Sequence, residues 1–317
     1  MFLCISPNPG IDKRLMIPTL VAGEIHRVRS VQSFPGGKAT HVAMVLRTLG
    51  EVPQWIGPCG GASGEELVAG LRALGIEPHV SAVKGKTRTN LELIDDAGGV
   101  TEILEPGPKL SAEELSGFER TCRELFEKYG ESAFVLFSGS LPANASEDLY
   151  SRLIGDAKRA GCKTFLDTGG EALRRGIKAG PDFVKPNARE AAAALKIPFD
   201  SFEGAAEAAE KLNELGARSV AISLGADGIV YRDGASRSIL MAAAIGVKAK
   251  STVGAGDSAF AGFAKGIADG LSAEETLRLA VGCAAANCIA ESPGAARLED
   301  IERFRSQVKV QAVVAGL

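Results

Sequence analysis

The chain has 317 residues, of which 45% are hydrophobic and 24% charged, and its net charge is −3. This acidic balance argues against nucleic acid as a partner, and the absence of a long apolar run or a signal peptide predicts a cytoplasmic protein that binds no membrane. The six cysteines show no C-x-x-C spacing and the three histidines show no H-E-x-x-H spacing. Disulfides, structural zinc and a Ser-His-Asp hydrolase are therefore disfavoured.

Short strand-like runs alternate with helical patterns along most of the chain. This alternation predicts a single α/β domain spanning residues 1–317. The predicted strands of the main sheet are 2–6, 54–57, 77–80, 133–137, 164–166, 183–185, 219–223 and 229–232. The clearest predicted helices are the one that opens at 35–38 and ends at Gly50, followed by 64–74, 111–129 and 273–290.

A β-ribbon at 87–94 and 101–104 interrupts the alternation. Together with an exposed strand at 11–17 it predicts a small separate sheet, a lid built from about 11–34 and 85–105. We expect the outer face of this lid to carry Met16, Leu91 and Leu93. Exposed apolar residues on such a face favour burial against a second copy, so the predicted assembly is a homodimer.

The stretch 251–263, S-T-V-G-A-G-D-S-A-F-A-G-F, predicts a glycine turn that opens a tightly packed helix. The N–H groups of Gly254, Ala255, Gly256 and Asp257 are expected to converge on an anion at the helix N-terminus. An acid there suits a base acting on a phosphoryl-acceptor hydroxyl. An ordinary capped turn is the alternative. A dinucleotide fingerprint is disfavoured because a helix, not a strand, follows, and the Walker pattern is absent.

Other polar positions admit two interpretations each. Asp12, beside a strand end, is either a turn residue or an acceptor for substrate hydroxyls. The paired glycines Gly36 and Gly37 mark either an ordinary turn or a close ligand approach, and Arg88 is either a solvated charge or a phosphate clamp. Asn187 with Glu190 is either a capping box or a pair that orients phosphates and water-held Mg²⁺.

Taken together, these loops resemble the ribokinase-like carbohydrate kinases of the phosphofructokinase-B type, over nearly the whole chain. Within that family, the sequence most resembles the branch that contains 1-phosphofructokinase, tagatose-6-phosphate kinase and the minor 6-phosphofructokinase. The matching motifs are Asn8-Pro9 with Asp12, Gly36-Gly37-Lys38, Thr87-Arg88, Glu105-Pro106-Gly107-Pro108, Ser138-Gly139-Ser140-Leu141-Pro142, Lys185-Pro186-Asn187 with Glu190, Ser223-Leu224-Gly225 and 252–258.

The resemblance implies a ribokinase-like three-layer α/β/α domain that uses ATP and Mg²⁺ to phosphorylate a ketohexose monophosphate (fructose 1-phosphate, tagatose 6-phosphate or fructose 6-phosphate). It implies that Asp257 is the base and that the 254–257 amides hold the transferring group. The implied substrate residues are Asp12, Arg27, Gly36, Gly37, Lys38, His41, Arg88 and Ser140, with Arg27 and Arg88 on the existing phosphate. The implied nucleotide residues are Lys185, Asn187, Ser223, Gly225, Gly228 and Asn287, and the implied metal residues are Glu190 and Asn187.

Two alternatives stay open. One is a kinase for an unphosphorylated sugar or a nucleoside, and the other is a sugar-binding regulator without catalysis. The sequence also departs from the family at His41, where the sugar-site helix usually carries Asn. An imidazole facing the sugar would satisfy different hydroxyls and would give kcat/KM a step near pH ~6.5. A purely structural histidine is the other interpretation.

Overall fold

The computed structural model describes residues 1–313, which form fourteen strands and ten α-helices. The strands are β1 (Phe2–Ile5), β2 (Gly10–Met16), β3 (Ser30–Gly36), β4 (Gln54–Cys59), β5 (Glu77–Ala82), β6 (Arg88–Ile94), β7 (Val100–Leu104), β8 (Phe134–Ser138), β9 (Lys163–Asp167), β10 (Phe183–Val184), β11 (Ser219–Ser223), β12 (Gly228–Arg232), β13 (Ile239–Ala243) and β14 (Val310–Ala312). The helices are α1 (Lys38–Thr48), α2 (Gly61–Ala73), α3 (Ala112–Tyr129), α4 (Leu149–Arg159), α5 (Gly170–Lys178), α6 (Ala188–Leu195), α7 (Phe202–Glu214), α8 (Ala255–Ala268), α9 (Ala273–Ile289) and α10 (Leu298–Arg305).

Ten strands form the main sheet in the order β14-β13-β12-β11-β10-β9-β8-β1-β4-β5. Every pairing from β11 to β5 is parallel, whereas β11 to β14 pair antiparallel along the other edge. The carboxyl ends of the parallel strands therefore lie together at one end of the sheet, where open α/β sheets bind their ligands.

Two apolar cores lie on opposite faces of the main sheet, because neighbouring residues of a buried strand point to opposite sides. In β1, Cys4 joins the core that contains α1, α2, α8, α9 and α10, while Leu3 and Ile5 join the core that contains α3 to α7. The predicted three-layer α/β/α arrangement with a mainly parallel sheet is confirmed. Within residues 1–313, no helix combines the length and the apolar character needed to cross a bilayer.

The predicted lid is a separate four-stranded sheet in the order β3-β2-β6-β7. Its second strand is not exposed, contrary to our expectation for 11–17, because β2 pairs with β3 on one side and with β6 on the other. The prediction that Met16 lies on the outer face of the lid is also wrong. It lies an even number of residues from Asp12 and beside Ile94, so it belongs to the inner face that Asp12 occupies.

The outer face of the lid carries a patch of apolar side chains. Leu15 is flanked by Val31 and Leu93, and Leu91 is paired with Ile103. Val31 and Ile103 are each 53% exposed. Leu91 and Leu93 are thus on the outer face as predicted, although the strand partners that complete the patch were not named in advance.

Candidate active site

A cavity of about 420 Å³ lies between the lid and the main sheet. Most residues singled out from the sequence line this one cavity: Asp12, Gly37, Lys38, His41, Arg88, Ser140, Lys185, Asn187, Glu190, Ser223, Gly254, Gly256 and Asp257. The others lie outside its lining: Arg27, Gly36, Gly225, Gly228, Ala255 and Asn287. The structure therefore gathers chain segments up to 245 residues apart, from Asp12 to Asp257, into one site.

Helix α8 presents its N-terminus to the cavity. Gly254 caps it in the left-handed region (φ 80°), where a side chain would also collide with Pro293. Ala255 was expected to donate its N–H to an anion, but that group donates to the carbonyl of Thr252 (3.2 Å). The N–H groups of Gly256 and Asp257 have no acceptor among the described residues. These two amides form the part of the turn available to an anionic ligand.

The carboxylate of Asp257 is buried and hydrogen-bonded to a histidine. His41 Nδ1 lies 2.8 Å from Asp257 Oδ2, and His41 Nε2 lies 2.9 Å from Asp12 Oδ2. Burial by itself would lower the pKa of His41, but the hydrogen bonds and charges of the two carboxylates outweigh it and raise the pKa to about 10. The expected titration step near pH ~6.5 is therefore not supported, because this imidazole is already protonated there.

The lid holds Asp12 from several sides. Asn90 donates to Asp12 Oδ1 (2.8 Å), and the N–H of Gly37 lies 3.4 Å from Oδ2. A Cβ at Gly36 would lie 2.3 Å from the Asp12 carboxyl carbon, so glycine there provides the space for this side chain. Burial would raise the pKa of Asp12, but its hydrogen bonds and the charge of His41 lower it. Asn90 is a site residue that sequence reasoning missed, although its position beside Asp12 follows from the β2–β6 register.

Two lysines and two carboxylates also line the cavity. Lys38 Nζ lies 3.4 Å from Asp167 and 3.8 Å from Glu190, and Lys185 Nζ lies 3.3 Å from Asp167. Burial alone would lower the pKa of Lys38, but the neighbouring carboxylates, Asp257 among them, raise it. Asp167 is a site residue that sequence reasoning did not single out. The structure shows it as the shared counter-charge of both lysines.

Asn187 and Glu190 form a complete capping box at the start of α6. Asn187 Oδ1 accepts from the N–H of Glu190, and Glu190 Oε2 accepts from the N–H of Asn187, both at 2.9 Å. The capping box is confirmed, and because both residues also line the cavity, their contact with phosphates and Mg²⁺ stays a prediction. A backbone bridge places Ser223 beside Asn187 at the same edge of the sheet.

Several predicted residues are placed differently from their expected contacts. Arg27 is exposed in the loop between β2 and β3. Asn287 is buried, donates to the carbonyl of Val253 (2.8 Å) and accepts from the N–H of Gly294 (2.8 Å), so it fixes the loop before α8, and its contact with a nucleotide stays a prediction. Gly225 lies in a turn, and Gly228 begins β12, where a side chain would strike the backbone of β13.

A helix N-terminus with free N–H groups beside a buried carboxylate suits the transfer of a phosphoryl group to a hydroxyl, so the site and the fold define a small-molecule kinase. Comparison with known proteins gives the family. Residues 11–300 match the pfkB family of carbohydrate kinases, and the chain belongs to that family.

Relatives align with almost the whole chain. The 1-phosphofructokinase of Bacillus subtilis (strain 168) is 31% identical over 310 residues, which are 98% of this chain and 99% of that protein. Phosphofructokinase-2 from Escherichia coli, solved in complex with substrates and products, superposes with a TM-score of 0.89 at 27% identity, covering 97% of this chain and 98% of that one. Arabidopsis thaliana ribokinase, complexed with ribose and ATP, shares the fold (TM-score 0.75, 20% identity, 96% and 98% covered). The protein is thus a phosphofructokinase-type sugar kinase, and its family implies ATP as the phosphoryl donor.

Proposed function

We propose that the enzyme transfers the γ-phosphoryl group of ATP to a hydroxyl of a ketohexose monophosphate, giving the bisphosphate, with Asp257 as general base. The observation that carries this proposal is the shared cavity. It holds Asp257 at the free N-terminus of α8 and, on the lid, the guanidinium of Arg88. The α8 turn with Asp257 can receive a reacting hydroxyl and a phosphoryl group, and Arg88 can hold a phosphate that the substrate already carries.

In the proposed step, the hydroxyl oxygen forms a bond to the γ-phosphorus while the bond from that phosphorus to the β–γ bridging oxygen breaks. ADP leaves with that electron pair, and the hydroxyl proton moves to a carboxylate oxygen of Asp257. The free N–H groups of Gly256 and Asp257 face the charge that spreads over the transferring group. Lys38 and Lys185, which line the same cavity, supply fixed positive charge.

A magnesium ion would fit this site only with the nucleotide. Among residues 1–313, no cluster of three or more His, Cys, Asp or Glu side chains is arranged to hold a metal. Mg²⁺ is commonly held by one or two carboxylates, waters and substrate phosphates, and Glu190, with Asn187 beside it at the cavity, would hold the ion on its protein side. Bound there, the ion would neutralise charge on the phosphates.

The names of the relatives support a phosphorylated ketohexose and differ in phosphate position. The test is therefore a panel: fructose 1-phosphate, fructose 6-phosphate and tagatose 6-phosphate, with free fructose, tagatose, ribose and adenosine, each with ATP and Mg²⁺ and read as ADP formation. We expect one of the three phosphates to exceed every free sugar and the nucleoside in kcat/KM. A free sugar or nucleoside preferred over all three phosphates would replace the proposal with the first alternative. Absence of ADP formation with every compound would favour a sugar-binding regulator.

We further propose a homodimer that buries the outer face of the lid. The support is the exposed apolar patch around Leu15, Leu91 and Ile103, since patches of this kind usually mark interaction surfaces. Phosphofructokinase-2 from Escherichia coli has been solved in a tetrameric inhibited form, which is consistent with assembly in this family.

A further inference from the structure

His41 lies between two carboxylates that come from different parts of the fold. Asp12 belongs to β2 of the lid and Asp257 to the first turn of α8, and each accepts a hydrogen bond from one ring nitrogen of His41. The His41 side chain is 6% exposed, and the Gly294 backbone packs against the His41 backbone. Both nitrogens are thus used, and none remains for a sugar hydroxyl. The expectation that His41 contacts the sugar through its nitrogens is not supported.

We propose that His41 is a positioning residue: a protonated imidazolium bridge that orients the Asp257 carboxylate and joins it to Asp12 in the lid. The proposal rests on the proposed role of Asp257 as the base. A carboxylate accepts but does not donate hydrogen bonds, so both ring nitrogens must carry protons to satisfy this geometry. The donor fixes Asp257 Oδ2, and no described residue donates to Oδ1, which is the oxygen available to the substrate hydroxyl.

The charges around His41 favour the protonated form. Asp12 faces it from β2, Asp257 from α8 and Glu102 more distantly from β7, while Lys38 interacts with the charge of Asp257 and Arg88 with that of Asp12. With an imidazolium, the trio of Asp12, His41 and Asp257 carries a charge of −1. With a neutral residue it carries −2, which is less favourable in a cavity that admits anionic substrates.

The first test observes the ring directly and needs no activity. The chain has only three histidines, His26, His41 and His79, so ¹⁵N-histidine labelling gives few signals, and His41→Asn assigns one of them by its loss. We expect both His41 nitrogens to stay protonated from pH 6 to 9. His79 is the internal comparison, because burial lowers the pKa of its ring, opposite to the direction expected for His41. A His41 ring that titrates between pH 6 and 7.5 would overturn the bridge.

The second test is kinetic. His41→Asn places the residue usual in the family here, and it removes two interactions that lower the pKa of Asp12. We expect kcat to fall about 10- to 100-fold through misplacement of the base, while KM for ATP changes little. Because Asp12 then loses two interactions that hold its pKa low, the acid limb of kcat/KM should move to higher pH. The matched control is His79→Asn, which loses only the hydrogen bond to Gln54 outside the cavity.

The two tests separate the possible failures. If the sugar panel shows no kinase activity, the role of Asp257 fails, but the ¹⁵N spectrum still decides whether the bridge exists. If His41→Asn does not fold, His41→Gln, which keeps a longer amide, replaces it. An unchanged kcat together with an unchanged pH profile in a folded variant would show that His41 does not position the base.

Discussion

Glu92, in the lid, accepts a hydrogen bond of 2.6 Å from the hydroxyl of Ser251, which lies just before the glycine turn of α8. The same carboxylate is paired with Arg14 on the neighbouring strand (2.7 Å), and both side chains are more than nine-tenths buried. Arg14 also donates to the carbonyl of Glu291, in the loop after α9. This buried network fastens the inner face of the lid to the loop that carries the proposed catalytic turn.

Removing the Glu92 charge is expected to destabilise the protein strongly. Glu92→Gln leaves the Arg14 guanidinium buried without its counter-ion, and breaking such a pair costs about 3–5 kcal/mol of the free energy of unfolding. Urea unfolding measures the difference. The control is Asp96→Asn, which breaks an exposed ion pair with Arg29 on the same lid (side chains 51% and 58% exposed), for which we expect about 0–1 kcal/mol. Equal losses in the two variants would contradict the assigned importance of the buried network.

Replacing the proposed base should lower turnover strongly and leave the fold intact. Asp257→Asn keeps an oxygen that accepts from His41 Nδ1, so we expect unchanged ATP affinity and a loss of about 10²–10⁴ in kcat. The control is Asp269→Asn, at the other end of α8, where the carboxylate pairs only with Lys265. Turnover of Asp257→Asn within a few-fold of the parent would remove this residue from the proposed role.

Arg88 is expected to bind the phosphate that the sugar already carries. Arg88 lines the cavity, and its guanidinium donates to the carbonyl of Glu105 (3.0 Å) and keeps a buried Nε without a partner among the described residues. A charge-assisted bond to phosphate is worth about 1.5–3 kcal/mol. Arg88→Ala should therefore raise KM for the preferred sugar phosphate at least about tenfold, with KM for ATP unchanged.

The control for Arg88 is Arg29→Ala, an exposed lid arginine outside the cavity lining, which should leave both KM values unchanged. A free sugar such as fructose provides the second comparison. If Arg88→Ala weakens free sugar and sugar phosphate by the same factor, Arg88 does not recognise the phosphate.

The outer face of the lid should control assembly. Leu91→Glu places a charge in the apolar patch, and burying that charge without a partner would be unfavourable, so we expect the parent to sediment as a dimer and the variant as a monomer at micromolar concentration. Leu215→Glu, at a 44% exposed leucine after α7, should remain dimeric. Analytical ultracentrifugation makes the comparison. A dimeric Leu91→Glu variant would move the interface elsewhere.

Local patterns in the sequence predict much of this molecule. The α/β alternation, the lid and the glycine turn before Asp257 are all visible from spacing and residue type, because each depends on neighbours within one or two turns of chain. The motif order then indicates that Asp12, Gly37 and Asp257 belong to one site. The edge strands β13 and β14 were not predicted, since the β14 stretch is short and lies next to residues of helical pattern.

The contacts inside the site were not predictable in this way. The Asn90–Asp12 and Ser251–Glu92 hydrogen bonds join residues 78 and 159 positions apart, and no local pattern reports the register of two distant parallel strands. His41 was singled out by its departure from the family. Its partners, Asp12 and Asp257, lie on β2 and α8, which only the tertiary fold brings to α1.

The parallel pairing of β2 with β6 also bears on how the chain folds. Gly10 pairs with Arg88, and the chain between them contributes β4 and β5 to the main sheet and α1 and α2 to the core on one of its faces. Closing so long a loop costs more conformational entropy than closing a hairpin, so we expect the β2–β3 hairpin to form before β6 pairs with β2. The lid therefore has its full set of four strands only once the chain as far as Leu104 is in place.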